Sequence, residues 1–156
     1  MSLALVMAHI RAQVGAVTPG RMGNSPFVSH SASGATMDLR TQAAASPIGL
    51  HRRYEVRLSP NGMPVDDGEA SVVVRRQRAT VVVVVAYETG QMADRADAEI
   101  MFGEDSEAIS ARMWDPNNWD ESTTGLMLCT PGQPTARGPA SADVAFLEIP
   151  LTILYH

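Results

Sequence analysis

The sequence contains no lysine, a single cysteine and few aromatic residues. Cys129 has no second cysteine to pair with, so a fold held together by internal disulfides is excluded. The 156 residues are enough to bury a hydrophobic core without such a crosslink. The 12 basic residues, all arginine, face 17 acidic residues, which gives a net charge of −5. A mildly acidic chain lacks the clustered cations on which general nucleic-acid binding depends.

Long apolar runs and cofactor motifs are also absent. No stretch approaches the ~20 apolar residues of a membrane-spanning helix, and no basic region precedes the apolar N-terminal segment, as a signal peptide would require. The sequence has no dinucleotide or P-loop glycine spacing, no zinc-ligand spacing and no serine nucleophile elbow. We therefore expect a protein that is not an enzyme, without catalytic residues, metal, cofactor or membrane association.

Two segments have the periodicity of amphipathic helices within what we expect to be one domain, 1–156. In residues 2–17, Val6, Ile10 and Val14 fall on one face, and the segment ends at a Thr-Pro-Gly sequence. Residues 94–113 form the second predicted helix, although Gly103 weakens the prediction at its middle. We expect Ser2 and Asp94 to cap the two helices.

Strand patterns fill most of the remaining chain. Residues 52–58 alternate polar and apolar side chains, which is typical of a half-buried strand. Residues 71–87 are either one long bent strand or a hairpin that turns at the arginines, and the valine run 81–85 indicates a strand covered on both faces. Residues 126–129 and 144–155 are further predicted strands, separated by a loop at 130–139. Pro150 indicates an edge position or a bulge in the last strand.

Together these elements predict an α+β fold. We expect a mostly antiparallel sheet with the N-terminal helix and one central helix packed on it. Residues 18–49 are rich in Gly, Ser, Ala and Pro and predict a long, arm-like loop. This loop is either an arm that becomes ordered against a partner or a flexible, solvated segment.

Charge is unevenly distributed along the chain. Residues 94–121 contain nine acidic residues and two arginines, whereas residues 50–80 contain six arginines and four acidic residues. One interpretation is a solvated acidic helix surface. The other is a pair of complementary faces that meet in a head-to-tail assembly of identical subunits.

The order of elements resembles that of the tail terminator (tail-completion, head–tail joining) proteins of long-tailed bacteriophages and related phage-like particles. The resemblance covers residues 50–156 and, more loosely, the first helix. It depends on an arginine-rich strand at 52–56, an apolar strand at 81–87 that ends in Tyr87, and a helix that opens with Asp94, Asp97 and Asp105. The chain then closes on an apolar strand ending in Tyr155.

The resemblance implies a structural virion protein, assembled in the host cytoplasm and located in the neck of the particle. It implies a sixfold ring of subunits, a homo-hexamer, that caps the tail tube protein and presents a surface to the head connector or stopper protein. DNA would only pass through the lumen. The long segment 18–49 departs from the family's pattern.

The charge pattern indicates residues for the subunit interface. The two tryptophans and the arm-like segment 18–49 indicate residues for contacts with partner proteins. The predicted subunit interface joins one set of arginines to acidic residues of the neighbouring subunit: Arg52, Arg53, Arg75, Arg76 and Arg78 with Asp94, Asp97, Glu99 and Glu104. The predicted partner-contact residues are Trp114, Trp119 and His30. Tryptophan outside regular structure either packs beneath its own loop or anchors an interface.

Two other interpretations remain open from the sequence. The first is another structural subunit of the neck or of the tail tube, which would polymerise into long cylinders. The second is a small-ligand-binding or enzymatic α+β domain. In that case the place to look for acid–base chemistry is His51 with Asp66 or Asp67.

Overall fold

The structure is a computed structural model, and it describes residues 2–21, 25–31, 37–46, 49–66, 76–89, 95–119, 124–141 and 144–156. This part of the chain contains three α-helices: α1 (Leu3–Gly15), α2 (Leu39–Ala45) and α3 (Arg95–Trp114). A 3₁₀ turn, Pro116–Asn118, follows α3. The bounds of α1 and α3 lie within two residues of the predicted helices at 2–17 and 94–113.

The strands of the described residues form one seven-stranded sheet. They are β1 (Val28–Ser29), β2 (Arg53–Leu58), β3 (Val65–Asp66), β4 (Gln77–Glu88), β5 (Leu126–Pro131), β6 (Thr135–Ser141) and β7 (Val144–Tyr155). Their order is β1-β2-β4-β7-β5, with β3 also paired to β4 and β6 also paired to β7. Every pairing is antiparallel except that of β1 with β2. The predicted α+β class with a mostly antiparallel sheet is confirmed.

The inner face of the sheet is the one that α1 and α3 cover. Side chains alternate across a strand, so every second residue of β4 and β7 points to this face. The residues that form this core include Val81, Val83 and Val85 of β4, Ile149 and Leu151 of β7, Val6, Ile10 and Val14 of α1, and Met101, Ile109 and Met113 of α3. Full burial of each such side chain contributes roughly 1.5–3 kcal/mol, so this layer supplies most of the driving force for folding.

The outer face of the sheet is covered in part by α2. Leu39 and Ala43 of α2 are fully buried against the side chains of Val84, Ala86 and Phe146. The prediction that the valine run is covered on both faces therefore holds where α2 lies. Further along the strand, Val82 is only half-buried.

The predicted long loop at 18–49 is wrong where β1 and α2 lie. The side chain of Asp38 caps α2 by accepting a hydrogen bond from the backbone N–H of Thr41 at 2.9 Å, and this bond lowers the pKa of Asp38. The seven residues of α2 are too few to give a recognisable helical period, which is why the sequence did not predict it. Residues 22–24, 32–36 and 47–48 of the predicted arm lie outside the described residues.

Three other expectations from the sequence concern two strand regions and one helix cap. From Gln77 to Glu88, β4 is continuous, and residues 71–75 of the predicted strand or hairpin at 71–87 lie outside the described residues. The loop predicted at 130–139 is wrong, because β5 reaches Pro131 and β6 begins at Thr135. Ser2 occupies the N-cap position of α1, but its side chain makes no capping hydrogen bond.

The edge position predicted for Pro150 is also wrong. On one side β7 pairs with β4, and on the other it pairs with β6 and β5 in succession. Pro150 lies between these two partners, and its carbonyl accepts a hydrogen bond from the N–H of Gly132 at 2.7 Å. The N–H and C=O of one strand residue point to the same side. The N–H that proline lacks would therefore face the interruption between β5 and β6, where no regular ladder bond is lost.

Gly103 provides a test of the position of α3. It is exposed in the interior of the helix, and a Cβ there would meet no atom of the described part of the chain within 4 Å. Glycine in a helix interior costs about 1 kcal/mol relative to alanine. We predict that Gly103→Ala raises the free energy of unfolding by about 1 kcal/mol in urea denaturation. The control is Gly62→Ala, whose Cβ would collide with Thr80 and which should lower that free energy. A destabilising Gly103→Ala would contradict this placement of the helix.

Candidate assembly interface

Arg52, which the sequence assigns to the subunit interface, lies in the interior of the protein. Its side chain is 0% exposed, and its backbone has φ 54°, a left-handed conformation that is uncommon for a residue other than glycine. The backbone N–H donates to the carbonyl of Ala86 at 2.7 Å. The prediction for Arg52 is therefore corrected, because a fully buried guanidinium cannot meet a neighbouring subunit.

The counter-charge of Arg52 is Asp105 of α3. Nε of Arg52 donates to Oδ2 of Asp105 at 2.9 Å, and Nη2 donates to Oδ1 at 3.3 Å. The hydroxyl of Tyr87 also donates to Oδ2, at 2.8 Å. Burial, and beyond it the Asp105 carboxylate, holds the pKa of Tyr87 well above its ordinary value. A buried charge needs such a complete set of partners, because desolvation is otherwise too costly.

The guanidinium of Arg52 also donates hydrogen bonds to the backbone of the segment that follows α1. Nη2 donates to the carbonyl of Arg21 at 2.5 Å, and Nη1 donates to the carbonyl of Ser25 at 3.1 Å. The guanidinium also lies over the ring of Phe27, with 5.7 Å between the guanidinium carbon and the ring centroid. One buried side chain thus joins the sheet, α3 and the segment at 21–27.

His30, a predicted partner contact, is likewise placed inside the protein. It is 4% exposed, and its Nε2 lies 2.8 Å from the carbonyl oxygen of Met37, within hydrogen-bonding distance. The backbone N–H of His30 donates to the carbonyl of Tyr54 at 2.8 Å. The prediction for His30 is corrected, because its ring helps to hold the approach to α2 and is not available to a partner.

The other predicted arginines lie in different settings. Arg53 is half-buried at the start of β2. Arg76 and Arg78 are exposed at the beginning of β4, and Arg75 lies outside the described residues. The alternation of β4 places Arg78 on the outer face of the sheet, in line with Val84 and Ala86. Arg76 and Arg78 are therefore the predicted arginines that present charge to solvent.

Three of the predicted acidic residues, Asp97, Glu99 and Glu104, lie on α3, on the opposite side of the sheet. Glu99 is exposed, as is Glu107 farther along the helix. Asp97 and Glu104 also reach the surface, and both form ion pairs within the chain with Arg21, at 4.0 Å and 3.1 Å. Surface pairs of this kind contribute roughly 0–1 kcal/mol and can be exchanged for others. Asp94 lies outside the described residues.

The two tryptophans differ in exposure. Trp119 is half-buried and packs on the ring of His9, with 5.2 Å between the ring centroids. Nε2 of His9 in turn lies 2.9 Å from the carbonyl of Asn118, so this loop is held against α1. Trp114, by contrast, is 61% exposed at the end of α3. Of the two, Trp114 is the side chain available to a partner.

The acid–base pair considered from the sequence is not brought together. His51 accepts a hydrogen bond at Nδ1 from the N–H of Glu88, near one end of β4. Asp66 pairs with Gln77 at the other end, about 36 Å away along the strand. Burial and the neighbouring Arg52 lower the pKa of His51. Asp67 lies outside the described residues.

Among the described residues, no group of three or more His, Cys, Asp or Glu side chains is arranged to hold a metal ion. An open groove of about 240 Å³ runs beside α3 and is lined by Glu99, Phe102, Gly103, Ser106, Pro134, Ala136 and Leu147. None of the described helices combines the length and the apolar character needed to cross a bilayer.

No protein-family model matches the chain, and no curated protein matches it. The residues that sequence reasoning missed are Asp105 as the partner of Arg52, and Ile100, an exposed apolar residue among the acidic residues of α3. Spacing in the sequence could not have paired Arg52 with Asp105, which are 53 residues apart. The helical period could have placed Ile100 on the exposed side of α3.

The buried ion pair can be tested by removing one partner. We predict that Asp105→Ala lowers the free energy of unfolding by about 3–5 kcal/mol, because it leaves the Arg52 guanidinium buried without a counter-charge. The measurement is urea denaturation followed by circular dichroism. The matched control is Glu107→Ala, an exposed acid on the same helix, with an expected change within about 0.5 kcal/mol. Equal effects of the two substitutions would contradict the buried pair.

The burial of Cys129 can be tested through the pH dependence of the free energy of unfolding. Burial raises the pKa of this thiol from 9.0 to about 12. The folded state therefore keeps the proton more tightly than the unfolded state does. The resulting stabilisation is complete below pH 9 and is lost as the pH rises toward 12. We predict that the free energy of unfolding falls less steeply over this interval in Cys129→Ala than in the wild type. Parallel pH profiles would contradict the burial of this thiol.

Proposed function

We propose that the protein is a tail terminator of a bacteriophage or phage-like particle, a structural subunit that forms a ring on the end of the tail tube. The ring would cap the tail tube protein and join the tail to the head connector or stopper protein, with DNA in transit through its lumen. The protein would then be part of the virion, assembled in the host cytoplasm. It would have no catalytic centre, no cofactor and no membrane association.

The observation that carries the proposal is the separation of charge between the two sides of the sheet. Acidic residues of α3, among them Glu99 and Glu107, lie beyond the inner face, and Arg78 lies on the outer face. A contact between two unlike patches is heterologous, and its repetition generates either a closed ring or an open filament. Complementary charge favours that contact and disfavours contact between like faces.

Two further features support the same proposal. The described residues have an N-terminal helix, a long apolar central strand and an acid-rich helix before the last strands, and the proposed resemblance to tail terminators is based on elements of this kind. The net charge of −5 would weaken adhesion to DNA that moves past the ring. His51 and Asp66 lie at opposite ends of β4, so the acid–base pair behind the enzymatic alternative has no support.

A tail-tube subunit or another neck subunit is the second candidate, because head-to-tail contacts between unlike faces would serve it equally well. The two candidates differ in the product of assembly. A tube subunit would stack into long cylinders, whereas a terminator would stop at a single ring. Open filaments and closed rings differ only in whether the rotation between neighbours closes.

A charge-exchange experiment tests the proposed assembly. We predict that Arg76→Glu/Arg78→Glu abolishes self-assembly without unfolding the subunit, because both arginines are exposed. The variant Glu99→Arg/Glu107→Arg should fail to assemble for the same reason. Sedimentation velocity reports the mass of each variant, and circular dichroism confirms that each remains folded.

The control is an equal mixture of the two variants. Each subunit then has two faces of the same sign, and the two kinds of subunit attract each other on both sides. A ring of even order can therefore form again with the variants in alternation. If both variants assemble like the wild type, or if the mixture stays monomeric while the wild type forms rings, the assignment of these charges to the interface is wrong.

A further inference from the structure

The exposed side of α3 carries a stripe that is not typical of a solvated helix surface. Five exposed residues follow the helical period: Ile100, Gly103, Glu107, Ala111 and Trp114. Ile100 is 46% exposed and Trp114 is 61% exposed, one near each end of the stripe. Between these two large apolar side chains lie the small residues Gly103 and Ala111. We call these five residues the α3 stripe. It extends over about 21 Å of helix.

Gly103 indicates that the stripe is built for close approach. No described residue contacts the position that its Cβ would occupy, so packing among the described residues does not require glycine there. A glycine in a helix interior nevertheless weakens the helix. Small residues on a helix let another backbone come near. Gly103 and Ala111 thus leave a shallow saddle between Ile100 and Trp114 into which a partner surface can fit.

The outer face of the sheet has a second surface, which α2 does not cover. In the register of the sheet, four residues on neighbouring strands lie in one row: Val65 of β3, Arg78 of β4, Leu154 of β7 and Leu128 of β5. Val65 is 58% exposed and Leu128 is 52% exposed. Thr152 of β7 is also exposed on this face. We call these five residues the open half of the sheet.

The two surfaces match in size and in charge. The row runs about 14 Å across four strands, from Val65 of β3 to Leu128 of β5. A helix laid along this row, across the strands, brings Ile100 and Trp114, about 21 Å apart, near its two ends. The α3 stripe carries Glu107 and is flanked by Glu99, whereas the open half carries Arg78. The two surfaces also lie on opposite sides of the same sheet, because α3 packs on the inner face. They therefore cannot meet within one subunit.

We propose that the α3 stripe of one subunit docks on the open half of the sheet of a second copy of the same chain. This proposal deepens the proposed function and rests on it, since it names the surfaces through which the subunits would meet. Ile100 and Trp114 bury apolar surface against Val65, Leu154 and Leu128. Glu107 and Glu99 lie near Arg78. The neighbour's α3 thereby covers the half of the outer face that α2 leaves open.

The test uses two variants that each remove one surface. Ile100→Gln/Trp114→Gln removes the apolar part of the stripe, and Val65→Gln/Leu128→Gln removes that of the open half. The control, Leu5→Gln/Val28→Gln, alters exposed apolar residues of α1 and β1 that belong to neither surface. We expect each surface variant to weaken self-association about tenfold or more. The control should associate like the wild type, and all three should keep the wild-type circular dichroism spectrum.

Mixing the two surface variants makes the test specific for unlike surfaces. One variant keeps its α3 stripe and the other keeps its open half. An equal mixture should therefore form dimers, of twice the 16.7 kDa subunit mass, and nothing larger. Native mass spectrometry distinguishes these mixed dimers from homodimers. A mixture that remains monomeric while the wild type assembles would overturn the docking proposal.

The outcomes separate this inference from the proposed function. If the wild type forms rings and both surface variants form the same rings, the docking proposal fails and the ring stands. If the wild type forms open chains that both surface variants abolish, the docking proposal stands and the ring fails. A wild type that stays monomeric at its highest soluble concentration, and also when fragments of a tail tube are supplied as a template, contradicts both. As an independent check, Gly103→Leu should weaken association while the subunit stays folded, because its side chain fills the saddle. Unchanged association of Gly103→Leu counts against docking through the stripe.

Discussion

The buried pair of Arg52 and Asp105 is the interaction on which the arrangement of the described residues depends. Two charges taken out of water are tolerated only when nearly every donor and acceptor is satisfied. Here the guanidinium meets the carboxylate and two backbone carbonyls, and the carboxylate also accepts from Tyr87. The pair thereby fixes α3 on the inner face and holds the segment after α1 beside it. The left-handed backbone of Arg52 is the local strain that this geometry requires.

The position of α3 determines what the subunit presents to others. With the apolar side of α3 and Asp105 turned toward the sheet, the exposed acidic residues Glu99 and Glu107 and the rest of the α3 stripe point away from the domain. The sheet is a single layer with an inner face, which α1 and α3 cover, and an outer face. The seven residues of α2 are too few to cover the outer face completely. One side of the molecule is therefore an acidic helix with exposed apolar side chains, and the other is a partly uncovered sheet with arginines. A head-to-tail assembly of identical subunits needs two unlike, complementary faces of this kind.

The sequence predicted elements whose side chains have a clear period, and missed features that depend on distant contacts. The helix at α1, the acid-rich helix at α3 and the alternating strand β2 follow from local patterns. The seven residues of α2 are too short for such a pattern, and Pro150 is tolerated in a central strand only because two different strands meet opposite it. The charge pattern predicts Arg52 at a subunit contact, and the arm-like composition of 18–49 predicts a partner contact for His30. Only tertiary contacts reveal that they are buried.

The most direct test of the account is negative-stain electron microscopy of the purified protein at high concentration, with its solution mass measured in parallel. The account predicts single rings of sixfold appearance, without long tubes, and a solution mass of about six subunits. Long cylinders would point to a tail-tube subunit. A protein that remains a monomer at every concentration, and also when fragments of a tail tube are supplied as a template, would contradict the central claim that this chain works by docking to copies of itself.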